Sequence, residues 1–418
     1  MEYSTLSKDL TRNLSTTIKK ENGIYFTPPS CVNSNIDLLK PYMNEIKTIL
    51  EPSCGSGEFI TSLKSSFPQT VSITGIEYNE TIYNSILPLN AVNVSILKQD
   101  YLKFVTGTKY DLIIGNPPFY VMKKESVDKT YYPYFDGRPN IFILFIIKSF
   151  ELLNDNGILS FILPKNFLNC LYYDKTRNYI AKNFQILNIV ERNDKFIDTQ
   201  QETIILIVRK PLVKSSIDNT KYILSIHSYT IFVVENNNNM TNIVKLYENS
   251  KTLWELGFTV SVGNVVWNQC KDILTDDATK TRLIYCSDIV DNKLSMKTYK
   301  NNDKKNYIDK PGTTRSMIVI NRGYGVGEYK FNYCLINNVC EDIGEYLIEN
   351  HLICIEYDNS NNNAESKNID KSELIKMYEK VIKSLKDERT QEFIKLYFGN
   401  NAINTTELNY ILPIYYDI

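Results

Sequence analysis

The sequence predicts an α/β fold with a mostly parallel sheet over its first half and a mixed α+β domain in its second. Apolar strand-like runs alternate with helix-like stretches from residue 48 to residue 209, the rhythm of successive βαβ units. Short polar motifs follow directly on these runs, at the strand ends where parallel sheets gather ligands. Past residue 245 the alternation stops, and polar stretches at 301–306 and 358–363 interrupt short mixed segments. The predicted strands are 48–50, 71–76, 94–97, 111–114, 157–162 and 203–208. The run Asp111-Leu-Ile-Ile ends at Gly115-Asn116-Pro117-Pro118-Phe119, where two prolines forbid both helix and ladder continuation. An amphipathic stretch at 372–398 has a helical period. The domains are predicted as 1–215 and 246–418, with the polar stretch 216–245 between them as a connection.

A chain of 418 residues with 43% apolar and 12% aromatic residues has enough material for two folded cores. A net charge of -1 carries no global basic signature, so any nucleic-acid surface must be a local patch. Eight cysteines without a CxxC pair, and two distant histidines, His227 and His351, offer no metal-ligand spacing, so no metal is expected. The thiols read as reduced, and the start Met1-Glu-Tyr-Ser-Thr-Leu has no signal-peptide character. The longest apolar run, 141–147, falls well short of the roughly 20 residues a bilayer span needs. A soluble, cytoplasmic protein with no membrane partner is expected, and a monomer.

Asn116 at a strand end points to a particular chemistry. Its side-chain oxygen and the Pro117 carbonyl can together accept both hydrogens of an exocyclic amine, and Phe119 offers a stacking face to the ring that bears it. After the first strand comes Glu51-Pro-Ser-Cys-Gly-Ser-Gly57, whose glycines let backbone amides approach a ligand. It lacks the lysine and serine of a phosphate loop, and its carboxylate suits a cationic amino group instead. Glu77 ends the second strand about 25 residues on, where a carboxylate usually grips a ribose. Asp100 and Tyr101 end the third, an acceptor for an adenine amine and a ring to pack on it. Each acid taken singly has an ordinary structural reading; their recurrence in consecutive units is the signal.

With these motifs in this order, residues 20 to 210 resemble the S-adenosylmethionine-dependent N6-adenine DNA methyltransferases of the gamma class, the Taq restriction-modification type. The resemblance implies a Rossmann-like methyltransferase domain with S-adenosyl-L-methionine as cofactor and duplex DNA as partner. It assigns Thr27, in Gly23-Ile-Tyr-Phe-Thr27-Pro-Pro29, to the methionine end of the cofactor with Glu51, Ser53, Cys54, Gly55 and Gly57. Glu77 is assigned to the ribose; Tyr78, Asp100, Tyr101 and Phe145 to the adenine. Asn116-Pro117-Pro118-Phe119 matches the catalytic tetrapeptide, with phenylalanine where many relatives carry tyrosine. Phe196 matches an aromatic that stacks on the extruded base, and core packing explains it equally well.

The amine of a stacked base is out of reach, so the base must be rotated out of the duplex, with Phe119 and Phe196 replacing its stacking. Cytosine C5 chemistry is a poor fit, because it needs a nucleophilic thiol following proline and the chain has no Pro-Cys pair. Cytosine N4 methylation, methylation of a protein glutamine or of RNA, and a DNA-binding specificity module without activity remain as alternatives. Beyond 245 the chain weakly resembles a target-recognition domain, in which Arg322 and Tyr324 are candidate DNA contacts. Lys123, Lys124, Lys129 and Arg138, on a tyrosine-rich loop, are candidates for the DNA backbone. A cognate restriction endonuclease is expected to be a separate protein.

Overall fold

Branched apolar residues in the first half build strands Thr48–Glu51 (β1), Ser72–Glu77 (β2), Val94–Lys98 (β3), Tyr110–Gly115 (β4), Leu153–Pro164 (β5), Gln185–Arg192 (β6) and Thr203–Arg209 (β7). They form one seven-stranded sheet in the order β3-β2-β1-β4-β5-β7-β6. β1 to β5 run parallel, while β7 lies antiparallel between β5 and β6. The computed structural model describes residues 2–199, 201–226, 228–234, 239–299, 303–323, 329–337, 343–358, 370–397 and 403–416. It divides into two compact units, Met1–Met240 and Thr241–Ile418.

The period of two along each strand sends neighbouring side chains to opposite faces. Ile49, Leu112, Ile114, Ile205 and Ile207 face a core built with helices Pro29–Leu39 (α3 below) and Glu58–Ser66 (α4). Leu50, Ile113, Leu159, Phe161 and Leu206 face the other core, which contains helix Ile141–Leu152 (α6). Helices Thr5–Asn13 (α1), Thr16–Asn22 (α2), Glu80–Ile86 (α5) and Asp174–Asn183 (α7) complete the unit. All residues of α6 except Lys148 and Glu151 are buried, which accounts for the long apolar run as a central core helix. Each such side chain contributes about 1.5–3 kcal/mol when fully buried. Among the described residues no helix is long and apolar enough to cross a membrane.

β6 escaped the sequence reading. Its register shifts between Ile186 and Asn188, so its two buried residues, Ile186 and Ile189, stand three apart and the strand period is lost. The stretch expected as a connection also differs: within 216–245, strands Ile223–Ile226 and Tyr229–Phe232 pair as a hairpin. Tyr222 and Phe232 insert into the α6 core. The hairpin is held from below by Arg177 of α7, which is wholly buried. Its guanidinium donates to the carbonyls of Thr230 (2.5 Å), Phe167 (2.9 Å) and Cys170 (2.7 Å).

The second unit has two four-stranded sheets. One is antiparallel, in the order Phe258–Val262, Leu352–Tyr357, Met317–Asn321, Tyr333–Ile336. The other runs Leu274–Thr275, Tyr307–Ile308, Thr281–Ile284, Tyr346–Ile348, the last pair parallel. Helices Lys371–Lys386, Glu388–Tyr397 and Thr405–Tyr410 follow. Tyr378 anchors the first of these, donating to the Ser316 carbonyl at 2.8 Å and accepting from the Tyr357 amide at 3.0 Å.

Replacing Arg177 by leucine strands several buried carbonyls at once. A loss of roughly 3 kcal/mol or more is expected. It is to be measured as a lowered urea midpoint of the whole chain; an unchanged midpoint refutes the bracing role.

Candidate active site

From β1 the chain moves outward through β2 and β3, then returns to start β4 on the other side of β1. That reversal opens a crevice beyond the carboxyl ends of β1 and β4. The 51–57 loop leaves β1 there and Asn116 leaves β4, and the Ser53 hydroxyl donates to the Asn116 carbonyl at 3.1 Å. Of the residues singled out in the sequence, Ser53, Gly55, Glu77, Tyr78, Asp100, Tyr101, Asn116, Pro118 and Phe145 line one cleft of about 270 Å³.

Gly55 holds φ +52°, which suits a residue without a Cβ. Its N–H points to Glu77 Oε2 at 2.8 Å, and Glu77 Oε1 accepts from the Asn79 N–H at 2.8 Å. Glu77 thus ties the glycine loop to the end of β2. Burial pushes its carboxyl up to about 7, against those backbone hydrogen bonds. Glu51 is 1% exposed and its Oε2 has no partner. Burial pushes it to about 8. Cys54 is buried beside it, its thiol held well above the usual range by the same desolvation, which leaves no ready thiolate nucleophile.

The far wall is aromatic. Tyr101 and Phe145 meet with ring centroids 4.8 Å apart, and the Tyr101 hydroxyl lies 2.8 Å from Ser149 Oγ. Asp100 accepts the Leu102 N–H at 3.0 Å, and Tyr78 stands 68% exposed on the cleft lining.

Asn116 is the centre of the arrangement. Its Nδ2 donates to Thr27 Oγ1 at 3.0 Å and to the Tyr25 carbonyl at 3.4 Å. Its Oδ1 is buried and accepts nothing among the described residues. The amide is therefore held by its nitrogen, with its oxygen left as a spare acceptor on a cleft residue. Thr27, expected beside a cofactor, serves here as the holder of Asn116, and is absent from the cleft lining.

Of the element that opens at Gly23 the sequence reading gave only Thr27 a role, so the wall made by 22–26 was not expected. Gly23 ends α2 at φ +62°, and a Cβ there would lie 2.7 Å from the Phe119 backbone nitrogen. That close approach brings Tyr25 and Phe26 to the cleft. Gly23 was the available signal, since a helix ending in glycine directly ahead of Thr27-Pro28 fixes where the chain turns.

Other expected residues lie elsewhere. Glu51, Cys54, Gly57 and Pro117 do not line the cleft. Phe119 meets Phe142 edge-on at 5.9 Å. Phe196 does not reach the cleft at all; it is 8% exposed, in a loop pinned by Lys19 to Asp198 (2.7 Å) and by Arg192 to Asp194 (2.7 Å). Turning so apolar a ring inward removes it from water. Lys123, Lys124, Lys129 and Arg138 are all exposed. The tyrosines between them, Tyr131, Tyr132 and Tyr134, pack against the α6 core instead of forming an open stacking surface. Arg322 is half-buried, its Nη1 reaching the Asn350 carbonyl at 3.5 Å, and Tyr324 lies outside the described residues.

Residues 59–197 match the pattern of the Eco57I restriction-modification methylase family. Over 413 residues the chain is 26% identical to the Type II methyltransferase M.CvrRI of Paramecium bursaria Chlorella virus XZ-6E, covering 95% of each. The chain is thus similar to restriction-modification methylases. It is also 32% identical over 213 residues to the modification methylase CviBIII of Paramecium bursaria Chlorella virus NC1A, covering 50% of this chain and 55% of that one. A similar match, 27% over 196 residues, reaches M.AccI of Acinetobacter calcoaceticus, covering 45% of this chain and 36% of that one.

Two outcomes are expected. Thr27→Val removes the acceptor that holds Asn116 Nδ2, and turnover should fall by about tenfold for the loss of one oriented hydrogen bond, with cofactor affinity unchanged. Thr27→Ser should restore it, and equal kcat in all three proteins refutes the role. For Glu51, a folded-state value near 8 against an ordinary 4.5 means that the folded chain holds a proton the unfolded chain gives up. Its contribution is full below about 4.5 and is lost as pH rises through 8. The melting temperature of the cofactor-free protein should therefore fall more between pH 5 and pH 8 in wild type than in Glu51→Gln. Parallel curves would contradict the burial of a protonated Glu51.

Proposed function

We propose that this methyltransferase modifies the N6 amine of an adenine rotated out of duplex DNA. The observation that carries the proposal is Asn116 Oδ1, a buried acceptor without a partner on the cleft at the end of β4. An amine whose lone pair is delocalised into its ring is a poor nucleophile. Two acceptors, Asn116 Oδ1 and the Pro117 carbonyl, would take its hydrogens out of the ring plane and localise that pair on nitrogen. Asn116 orients and is not a base, so the proton released after transfer passes to solvent.

The residues of the cleft fit the cofactor. S-adenosylmethionine supplies a methyl group on a positively charged sulfur, so no covalent enzyme intermediate is needed. The Tyr101–Phe145 pair and Asp100 suit its adenine and Glu77 its ribose, and Glu51, buried beside the Gly55 loop without lining the cleft, suits its cationic amino end. Phe119 would stack on the target base. The choice of adenine is supported by the Gly23 to Pro29 element ahead of the glycine loop and by the order of the later motifs. Lys123, Lys124, Lys129 and Arg138, exposed and outside any ion pair among the described residues, would meet the DNA backbone.

The test is digestion of duplex DNA treated with the pure protein, followed by identification of the methylated nucleoside. N6-methyladenine is expected, and N4-methylcytosine would overturn the choice of base. Asn116→Ala should lower turnover by about 10²–10³-fold or more, as removal of one preorganised polar group does, while still binding cofactor. Full turnover in that variant would sink the proposal.

A further inference from the structure

Within the second unit, Thr281–Ile284 is an inner strand of its four-stranded sheet, paired on one side with Tyr307–Ile308 and on the other with Tyr346–Ile348. Arg282 on that strand is 7% exposed. Its guanidinium carbon lies 5.4 Å from the centroid of the Tyr307 ring, its cross-strand neighbour. Among the described residues neither Nε nor Nη2 has a hydrogen-bond partner. A guanidinium does not escape such a setting by losing its proton, so a buried one without an acceptor is costly to keep. Tyr307 covers a face of the group and offers no acceptor to its N–H edge.

Arg282 also lines a cleft of about 850 Å³, together with Thr279, Lys280, Asp309, Lys310 and Glu345. The carboxylates there are engaged. Asp309 pairs with Lys280 at 2.8 Å, and Glu345 accepts the Gly312 N–H at 3.2 Å. Neither reaches Arg282 within ion-pair distance, and the exposed Lys310 has no ion pair among the described residues. The cations of this lining outnumber its carboxylates, and the most deeply buried of them lacks a counter-charge among the described residues.

We propose that this cleft is an anion site in which Arg282, with Lys310 at its edge, receives a phosphodiester of the DNA substrate. It presupposes DNA as the substrate and adds where the second unit holds it. A phosphodiester supplies both what Arg282 lacks, a negative charge and oxygen acceptors, and Arg recognises it through a planar fork of donors. Such a contact positions the duplex and carries no sequence information of its own.

The experiment titrates full-length wild type, Arg282→Met, Arg282→Lys and Lys310→Ala with a methylatable duplex and an unrelated duplex over a range of salt. Cofactor binding is measured alongside. Arg282→Met should weaken both duplexes alike by about tenfold, and lower the slope of log affinity against log salt by about 0.9, the value for one phosphate contact. Arg282→Lys should recover part of the loss, Lys310→Ala should lower the slope similarly, and cofactor affinity should not move. Weakening confined to the methylatable duplex means that Arg282 reads a base edge and overturns the phosphodiester assignment. If Arg282→Met fails to fold, Lys310→Ala decides, because that side chain is exposed; unchanged affinity and slope there overturn the site. Wild type that binds and methylates DNA while every variant matches it refutes the cleft alone, whereas wild type inactive on all DNA refutes the substrate itself.

Discussion

The Asn116 amide is tied at one end, and the active-site geometry follows from which end. Thr27 and the Tyr25 carbonyl occupy its nitrogen, so the side chain presents its oxygen, the one atom of an amide that accepts a hydrogen bond. Much of the first unit serves that constraint. β4 stops at Gly115 because prolines follow, Ser53 grips the Asn116 backbone from the β1 loop, and Gly23 lets the 22–26 segment come within touching distance of Phe119. The holders come from three separated stretches of chain. They converge because the sheet changes direction between β1 and β4.

Several ionisable groups in this protein are held away from solvent. Glu51 and Glu77 are both buried near the glycine loop, and desolvation raises both. A carboxyl in that condition favours a cationic or hydroxyl-bearing partner over water, which is the character of a ligand with an amino group and a ribose. Arg282 is the corresponding case in the second unit, a cation buried without an acceptor. Arg177 is the contrast: equally buried, but surrounded by carbonyls, and therefore a structural brace.

Where local pattern and tertiary packing agree, the fold was legible. β1, β2, β3, β4 and β7 were expected to within a residue or two of where they lie, because each is a short, largely apolar run, its side chains alternating between the two faces of the sheet, that ends at a glycine, proline or polar motif. β6 was not, since a bulge moves its buried residues out of that period. The hairpin of Ile223–Ile226 and Tyr229–Phe232 was lost among polar neighbours, although Tyr222 and Phe232 are core residues. In the site, strand-end residues such as Glu77, Asp100 and Asn116 were legible because a parallel sheet sends all such ends to one edge. Thr27 was recognised and given a different task. Phe196 resembled a stacking aromatic and read equally well as a core residue; its ring is buried, in a loop held by ion pairs from Lys19 and Arg192.

The sequence alone determined the chemistry on offer: an amide at a proline-stopped strand end, a glycine loop opened by a carboxylate, and acids closing successive strands. These are local facts, set by which residues break a ladder and which permit close backbone approach. Only the tertiary structure decided how those groups are used. Which atom of Asn116 is free, which tyrosines of the basic loop pack inward, and which arginine lacks a counter-charge all depend on neighbours far away in the chain. Hydrogen bonding and desolvation act over a few ångströms of space, and spacing along the backbone carries no measure of that distance.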